Sequence, residues 1–342
     1  MSLGSTLGEY LKLARSFNLA LTAVAPVLGA LALGEESLVR LALLFLVGAG
    51  AHIYGFVLND YIDMRIDKLS SELRERPLVS GTITPNKALG FALGGLALML
   101  GLGYLLVNGH PRAIVVLAFA AILATIYNLI SKQLAGMDIF VASAIFFLCV
   151  FGAVSAVPEQ DILYVTQLGW VVCMLGGLQV LFMNIVAGGL KDIDHDSRGG
   201  GRTLAVALGC RVTGDDDRLE IPGAFQSLAY VIQAVFLLFL FAPFVLGLVA
   251  PPPLEYAIVL AVLVALSAAM LLISYRLLNL KRFVRGDMRR FIGMHYILNF
   301  ILVPIMLFTL NPYILLLAAV PPLGFVLSNA ALAGDALKPK TM

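Results

Sequence analysis

Long apolar stretches separated by short polar punctuation dominate the chain. Runs long enough to cross a bilayer, roughly 20 residues each, recur at 16–34, 37–58, 87–107, 112–131, 137–157, 164–187, 224–249, 254–278 and 290–310. A tenth run, 313–331, is interrupted by Pro321-Pro322. The punctuation agrees with this division. Ser37 is placed to cap the second helix, and Thr84-Pro85 offers a cap residue followed by proline at the first helical position. Asn311-Pro312 separates the ninth run from the tenth. The pattern predicts an all-α polytopic membrane protein.

Composition strengthens that prediction. Of 342 residues, 60% are hydrophobic and only 13% charged, against about a quarter charged in soluble domains. A soluble enzyme and a nucleic-acid-binding protein are both excluded. The first fifteen residues are mixed in character, so no cleavable signal peptide is expected. Cys149, Cys173 and Cys210 have no paired spacing and read as small core residues.

The net charge of +2 says little; its distribution says more. With the N-terminus placed in the cytoplasm and the sides alternated, only Arg40 and Arg112 of the 23 basic residues fall outside. Lys338 and Lys340 follow the tenth run, and every other Lys and Arg is cytoplasmic. Two cytoplasmic connections, about 59–86 and 188–223, are long, polar and charged. Chemistry is usually carried on such loops over a rigid scaffold.

Each long connection opens on an acidic cluster. In the first, Asn59, Asp63 and Asp67 are spaced i, i+4, i+8. A step of four advances only about 40° on a helix, so the three share one face. In the second, Asp192 and Asp196 repeat the i, i+4 spacing, with Asp194 between them. Four membrane runs separate the clusters, so both open on the same side. Mg²⁺ takes oxygen ligands, typically one or two carboxylates plus substrate phosphates. Facing clusters of this kind would bridge a diphosphate through Mg²⁺ and neutralise the charge that builds as it leaves an allylic carbon. Arg65, Lys68 and Arg76 in one loop, and Lys191, Arg198 and Arg202 in the other, would hold the remaining phosphate oxygens. His52, seven residues before Asn59, is placed to line a cavity beneath.

At these clusters the chain resembles the UbiA-type membrane prenyltransferases. The first motif reads Asn59-Asp60-x-x-Asp63-x-x-x-Asp67, followed by Arg76-Pro77-Leu78-x-x-Gly81. The second reads Asp196-x-x-x-Gly200-x-Arg202-Thr203-Leu204, preceded by Lys191-Asp192. Tyr127 and Lys132 look like the family's tyrosine and lysine at the cytoplasmic end of the fourth helix. The resemblance covers about residues 10–310. It implies nine membrane helices around a central cavity, capped by short helices in the cytoplasmic loops, with a lateral opening for lipid substrates. It implies two Mg²⁺ ions, held by Asn59 and Asp63 on one side and Asp192 and Asp196 on the other, with Asp67 on the first face. Lys132 joins Arg65, Lys68, Lys191 and Arg202 as diphosphate ligands, and Tyr127 is catalytic. Many family members carry a further Asp three residues before Asp192; here that position is Gly189.

The chain therefore divides into a membrane domain, 1–310, and a C-terminal hydrophobic segment with a basic tail, 311–342. The implied reaction moves a prenyl group from an isoprenyl diphosphate, such as geranyl or geranylgeranyl diphosphate, to a lipophilic acceptor in the membrane. The start of the first run, Arg15-Ser16-Phe17-Asn18, is similar to that of the glyceryl-phosphate ether-lipid branch, with Ser16 in place of a proline. Arg15 and Asn18 are the candidate acceptor ligands; a quinone-type aromatic acceptor is the other option. The reading from a different class is a transporter or carrier that binds an isoprenoid diphosphate without chemistry.

Overall fold

Proline and small hydroxyl residues start several of the helices. Thr84-Pro85 and His110-Pro111 put proline in the first turn, where its missing N–H leaves no bond unmade. The Ser37 Oγ accepts from the Arg40 N–H at 3.4 Å, and the Thr166 Oγ1 accepts from the Gly169 N–H at 3.2 Å. The computed structural model describes residues 3–68, 73–214, 217–249, 252–311 and 314–333. The tail residues Lys338 and Lys340 and the side chain of Arg198 lie outside this description.

Helix α1 (Leu3–Leu13) leads through a 3₁₀ turn (Ser16–Asn18) into α2 (Leu19–Leu31). Then come α3 (Leu38–Asp67), the one-turn α4 (Pro77–Ser80), α5 (Pro85–Leu106), α6 (Pro111–Ile130) and α7 (Asp138–Ala156). Helix α8 (Gln167–Phe182) continues through a π-helical turn (Met183–Gly188) into α9 (Gly189–Lys191). The second long loop holds α10 (Ile193–Gly199), α11 (Leu204–Ala207) and a hairpin of β1 (Arg211–Thr213) and β2 (Arg218–Glu220), registered Val212 to Leu219. Helices α12 (Gly223–Val245), α13 (Pro253–Leu278), α14 (Arg285–Leu307) and α15 (Leu315–Ala333) complete the chain.

Among the described residues, eight helices are long and apolar enough to cross a membrane, or nine when the bent pair of α1 and the stretch through α2 is counted as one span. The chain is thus a nearly all-helical polytopic membrane protein. Several boundaries differ from the hydropathy reading. The first span is preceded by α1 and bent by 51° near Arg15. The second does not stop at residue 58: α3 runs 30 residues, about 45 Å at 1.5 Å per residue, and outlasts a hydrocarbon core of about 30 Å. The first acidic cluster is therefore helical throughout, as its i, i+4, i+8 spacing requires, although it lies in what the hydropathy pattern marks as a connection. The ninth span begins at Arg285, which turns a basic "loop" into a helix N-terminus. The tenth segment is one helix carrying both Pro321 and Pro322 within it.

Small residues let the spans approach closely. A Cβ on Gly50 of α3 would lie 2.7 Å from the Gly95 carbonyl oxygen of α5, and one on Gly95 would lie 2.9 Å from that of Gly50. One apolar cluster joins α2, α3, α5, α6, α7 and α8; a second ties the 3₁₀ turn and the end of α8 to α12, α14 and α15. All three cysteines are buried and free.

Candidate active site

A cavity of about 200 Å³ opens between the two clusters. Its body is apolar, lined by Met99, Ala120, Ala144, Ile145, Leu148 and Val180 among others. Polar side chains gather toward one end: Arg15, Asn18, Asn59, Tyr127, Asn128, Asn184 and Lys191. His52 lines it as expected, held by Thr22 Oγ1 at 3.0 Å and the Ala14 carbonyl at 2.8 Å.

The mouth is built by ion pairs that cross between elements. Asp63 accepts from Lys132, just beyond α6, at 3.0 Å. Asp60 accepts from Arg15 at 2.6 Å and lies 3.5 Å from Arg76. Arg76 also holds Asp67 at 2.6 Å. On the other side Lys191 lies 3.2 Å from Asp192, while Arg285 bonds Asp194 at 2.7 Å and lies 3.9 Å from Asp192. The Arg202 N–H donates to the Lys132 carbonyl at 3.4 Å, which ties the second loop to the end of α6. The two acidic clusters thus belong to one site.

Local backbone chemistry explains the motifs. In Arg76-Pro77-Leu78-x-x-Gly81, Pro77 starts α4 and Gly81 ends it at φ +79°, a conformation glycine adopts freely. That single turn aims Arg76 back at α3. In the second motif Asp192 sits at the break between α9 and α10 and its carbonyl accepts the Asp196 N–H at 2.9 Å. Gly200, at φ +74°, closes α10, and the Gly201 N–H returns to the Asp196 carbonyl at 2.9 Å. At Gly189 a Cβ would meet Ala205 Cβ at 3.0 Å. Ala205 fills the space that a side chain there would need.

Electrostatics differ between the two carboxylates of this segment. Partial desolvation opposes ionisation of Asp192, but the Lys191 and Arg285 cations outweigh it and hold its carboxyl below the usual range. Partial burial, and then the Asp192 charge, push Asp196 up to about 6.

The cavity or its mouth gathers Arg15, Asn18, Asn59, Asp63, Tyr127, Lys132, Lys191 and Asp192. Asp196 stands one helical turn beyond Asp192, and Asp67 is engaged by Arg76. Arg65, Lys68 and Arg202 are exposed and outside the cavity lining. For Arg65 the reason is helical phase: two positions from Asp63 it points about 200° away. Sequence reasoning gave no role to Asp60, Asn184, Arg285 or Tyr296. Asp60 lay inside the quoted motif, and Arg285 was hidden in a run of basic residues that reads as topology. Among the described residues, no three His, Cys, Asp or Glu side chains converge on one point. Hard oxygen donors split between two walls do suit Mg²⁺ that shares its ligands with a substrate's phosphates.

Comparison with known proteins agrees with this geometry. Residues 20–295 match the model of the UbiA prenyltransferase family. The digeranylgeranylglyceryl phosphate synthase of Ignicoccus hospitalis is 30% identical over 218 residues, covering 61% of this chain and 67% of that protein. The apo structure of a UbiA homolog from Aeropyrum pernix superposes with a TM-score of 0.67 at 16% identity, over 84% of this chain and 96% of that one. A UbiA homolog from Archaeoglobus fulgidus, solved with GPP and Mg²⁺, superposes with a TM-score of 0.61 at 18% identity, over 87% and 98%. Motifs, helical cage, ion-paired mouth and family match converge, and this chain belongs to the UbiA prenyltransferase family.

Proposed function

We propose that this prenyltransferase uses Mg²⁺ to transfer an isoprenyl group from its diphosphate to a glyceryl-phosphate lipid acceptor at the cytoplasmic face. The observation that carries the reading is an apolar cavity ending in lysines already paired to the acidic clusters. The similarity to a digeranylgeranylglyceryl phosphate synthase supports the acceptor class. The concentration of Lys and Arg on one side supports the orientation.

The prenyl chain lies among the apolar residues of the cavity, and its diphosphate lies at the mouth. Asn59 and Asp63 would hold one Mg²⁺, and Asp192 and Asp196 a second; when bound, the ions neutralise charge on the departing diphosphate. Lys132 and Lys191 are within reach of both carboxylate and diphosphate, and donate to phosphate oxygens as the leaving-group charge grows. Asp67 stays with Arg76 and keeps the end of α3 fixed. Tyr127, whose hydroxyl donates to Asn184 Oδ1 at 3.4 Å, stands between the apolar body and the polar rim, where the reacting carbon sits in this reading. Arg15 and Asn18 face the same space from the first span and take the acceptor's phosphate and hydroxyl groups. Water is excluded by the apolar walls.

The test is to incubate purified protein with labelled geranylgeranyl diphosphate and a panel of acceptors, with Mg²⁺ or EDTA, and identify products by mass spectrometry. Prenylated glyceryl-phosphate lipid, formed only with Mg²⁺, is expected. Prenylation of aromatic acceptors alone would overturn the acceptor class. Tight diphosphate binding with no product from any acceptor would return the carrier reading.

A further inference from the structure

Helix α15 packs against α14, α2 and the 3₁₀ turn that begins the first span. It lies outside the residues matched by the family model. Its buried face carries Phe325 and Asn329, and its outer face is apolar, with Leu316, Val320, Leu323 and Leu327 exposed as suits lipid. Phe325 has no exposed surface. Its ring lies 6.2 Å from Phe17 edge-on and 5.6 Å from Tyr296. Both of those residues line the cavity, one from each side of the junction between the first span and α14.

Across that junction Asn18 Nδ2 donates to the Tyr296 hydroxyl at 3.3 Å. This bond fixes the Asn18 amide and leaves Oδ1 buried with no donor. A buried acceptor without a partner is costly, and a ligand hydroxyl in the cavity would satisfy it. Phe325 bridges the pair from behind, with its ring against both Phe17, the residue preceding Asn18, and the ring of Tyr296.

We infer that Phe325 is a positioning residue, which through Phe17 and Tyr296 keeps the Asn18 carbonyl oxygen aimed at a hydroxyl group of the acceptor. The inference rests on the acceptor site proposed above. The C-terminal helix then stands behind the cavity's wall, buttressing Phe17 and Tyr296, and contributes to acceptor recognition without touching either substrate.

The experiment measures both substrates separately in Phe325→Ala, Phe325→Leu, Asn18→Ala and the Phe325→Ala/Asn18→Ala double variant. Acceptor KM comes from steady-state rates, and prenyl binding from the Kd of a non-reactive geranylgeranyl thiodiphosphate with Mg²⁺. Phe325→Ala is expected to raise acceptor KM about tenfold, with the thiodiphosphate Kd unchanged and Phe325→Leu largely restored. The double variant should be no worse than Asn18→Ala, because both losses act through one group. Losses that add, or that fall equally on both substrates, would overturn the inference, as would an unchanged acceptor KM. Should Phe325→Ala not fold, Phe325→Val, which leaves less of the side chain than Phe325→Leu but still abolishes the ring contacts, takes its place alone and in the double variant with Asn18→Ala. Failure of the acceptor reading itself would show in the wild-type enzyme, as no prenylation of the glyceryl-phosphate lipid.

Discussion

The two acidic segments reach one site on different backbones. Asn59, Asp63 and Asp67 ride a single uninterrupted helix whose membrane-embedded part fixes their spacing. Asp192 and Asp196 follow a π-helical turn and sit at a break between two short helices. Widened turns of this kind occur often at functional sites. The first segment is rigid because α3 is held along its length by α2 and α5. The second is held from outside, by Arg285 on Asp194 and by the backbone bond from Arg202 to Lys132. One wall is preset and the other is braced, so damage should propagate differently on the two sides.

The largest effect should come from removing an oxygen on either wall. Asp63→Ala and Asp192→Ala should each lower kcat by on the order of 10²–10³, with folding in detergent retained. The double variant should be about as inactive as either single one, since both losses leave the same leaving group unbalanced. Single-turnover rates for the four proteins check this; additive losses would mean that the walls act independently.

A smaller, one-sided effect is expected from the brace. Asp194→Ala should lower activity by roughly tenfold and Arg285→Ala somewhat more, since Arg285 also faces Asp192; the pair together should be no worse than Arg285→Ala, because that variant already breaks the contact they share. The Mg²⁺ concentration for half-maximal rate should rise in both. Equal sensitivity to Asp194→Ala and Asp192→Ala would make Asp194 a metal ligand and remove the contrast drawn here.

A pH series separates the walls another way. Asp196, raised to about 6, is protonated as pH falls through that value and cannot then hold a cation; above it the carboxylate is free to bind. Half-maximal Mg²⁺ should therefore rise as pH drops from 7 to 5.5 in the wild type, and less steeply in Asp196→Asn. Parallel slopes would discount the residue.

The mildest test is topological. A cysteine at Ser80, exposed on α4, should label from the cytoplasmic side, and one at Glu36, in the opposite connection, from outside. The native cysteines are buried and give little background.

Much of the fold was legible in the chain because lipid demands long apolar helices. The acidic spacing also survived, since a period of four on a helix keeps its face. What hid was the extent of helices beyond the membrane. Ile62 and Ile66 continue the helical spacing of α3, yet the polar residues around them read as loop. Helix α1 carries Glu9 and Lys12 in a mixed sequence with no long apolar run. The three-residue strands of the hairpin are too short to leave a period. Partners such as Arg285 for Asp194 arise from contacts 91 positions apart, which no local pattern encodes.

The bend at Arg15 has a consequence of its own. That residue occupies the left-handed region, φ +46° and ψ +51°, which a side chain tolerates at about 1–2 kcal/mol. Its guanidinium and its backbone thus make opposing demands on one position: chemistry wants an arginine, and conformation wants a glycine. Arg15→Gly should relax the chain while deleting the charge, so that a protein more resistant to heat than Arg15→Ala is just as poor at taking up acceptor. On the proposed acceptor role, the elbow of the first span is a place where conformational ease yields to recognition.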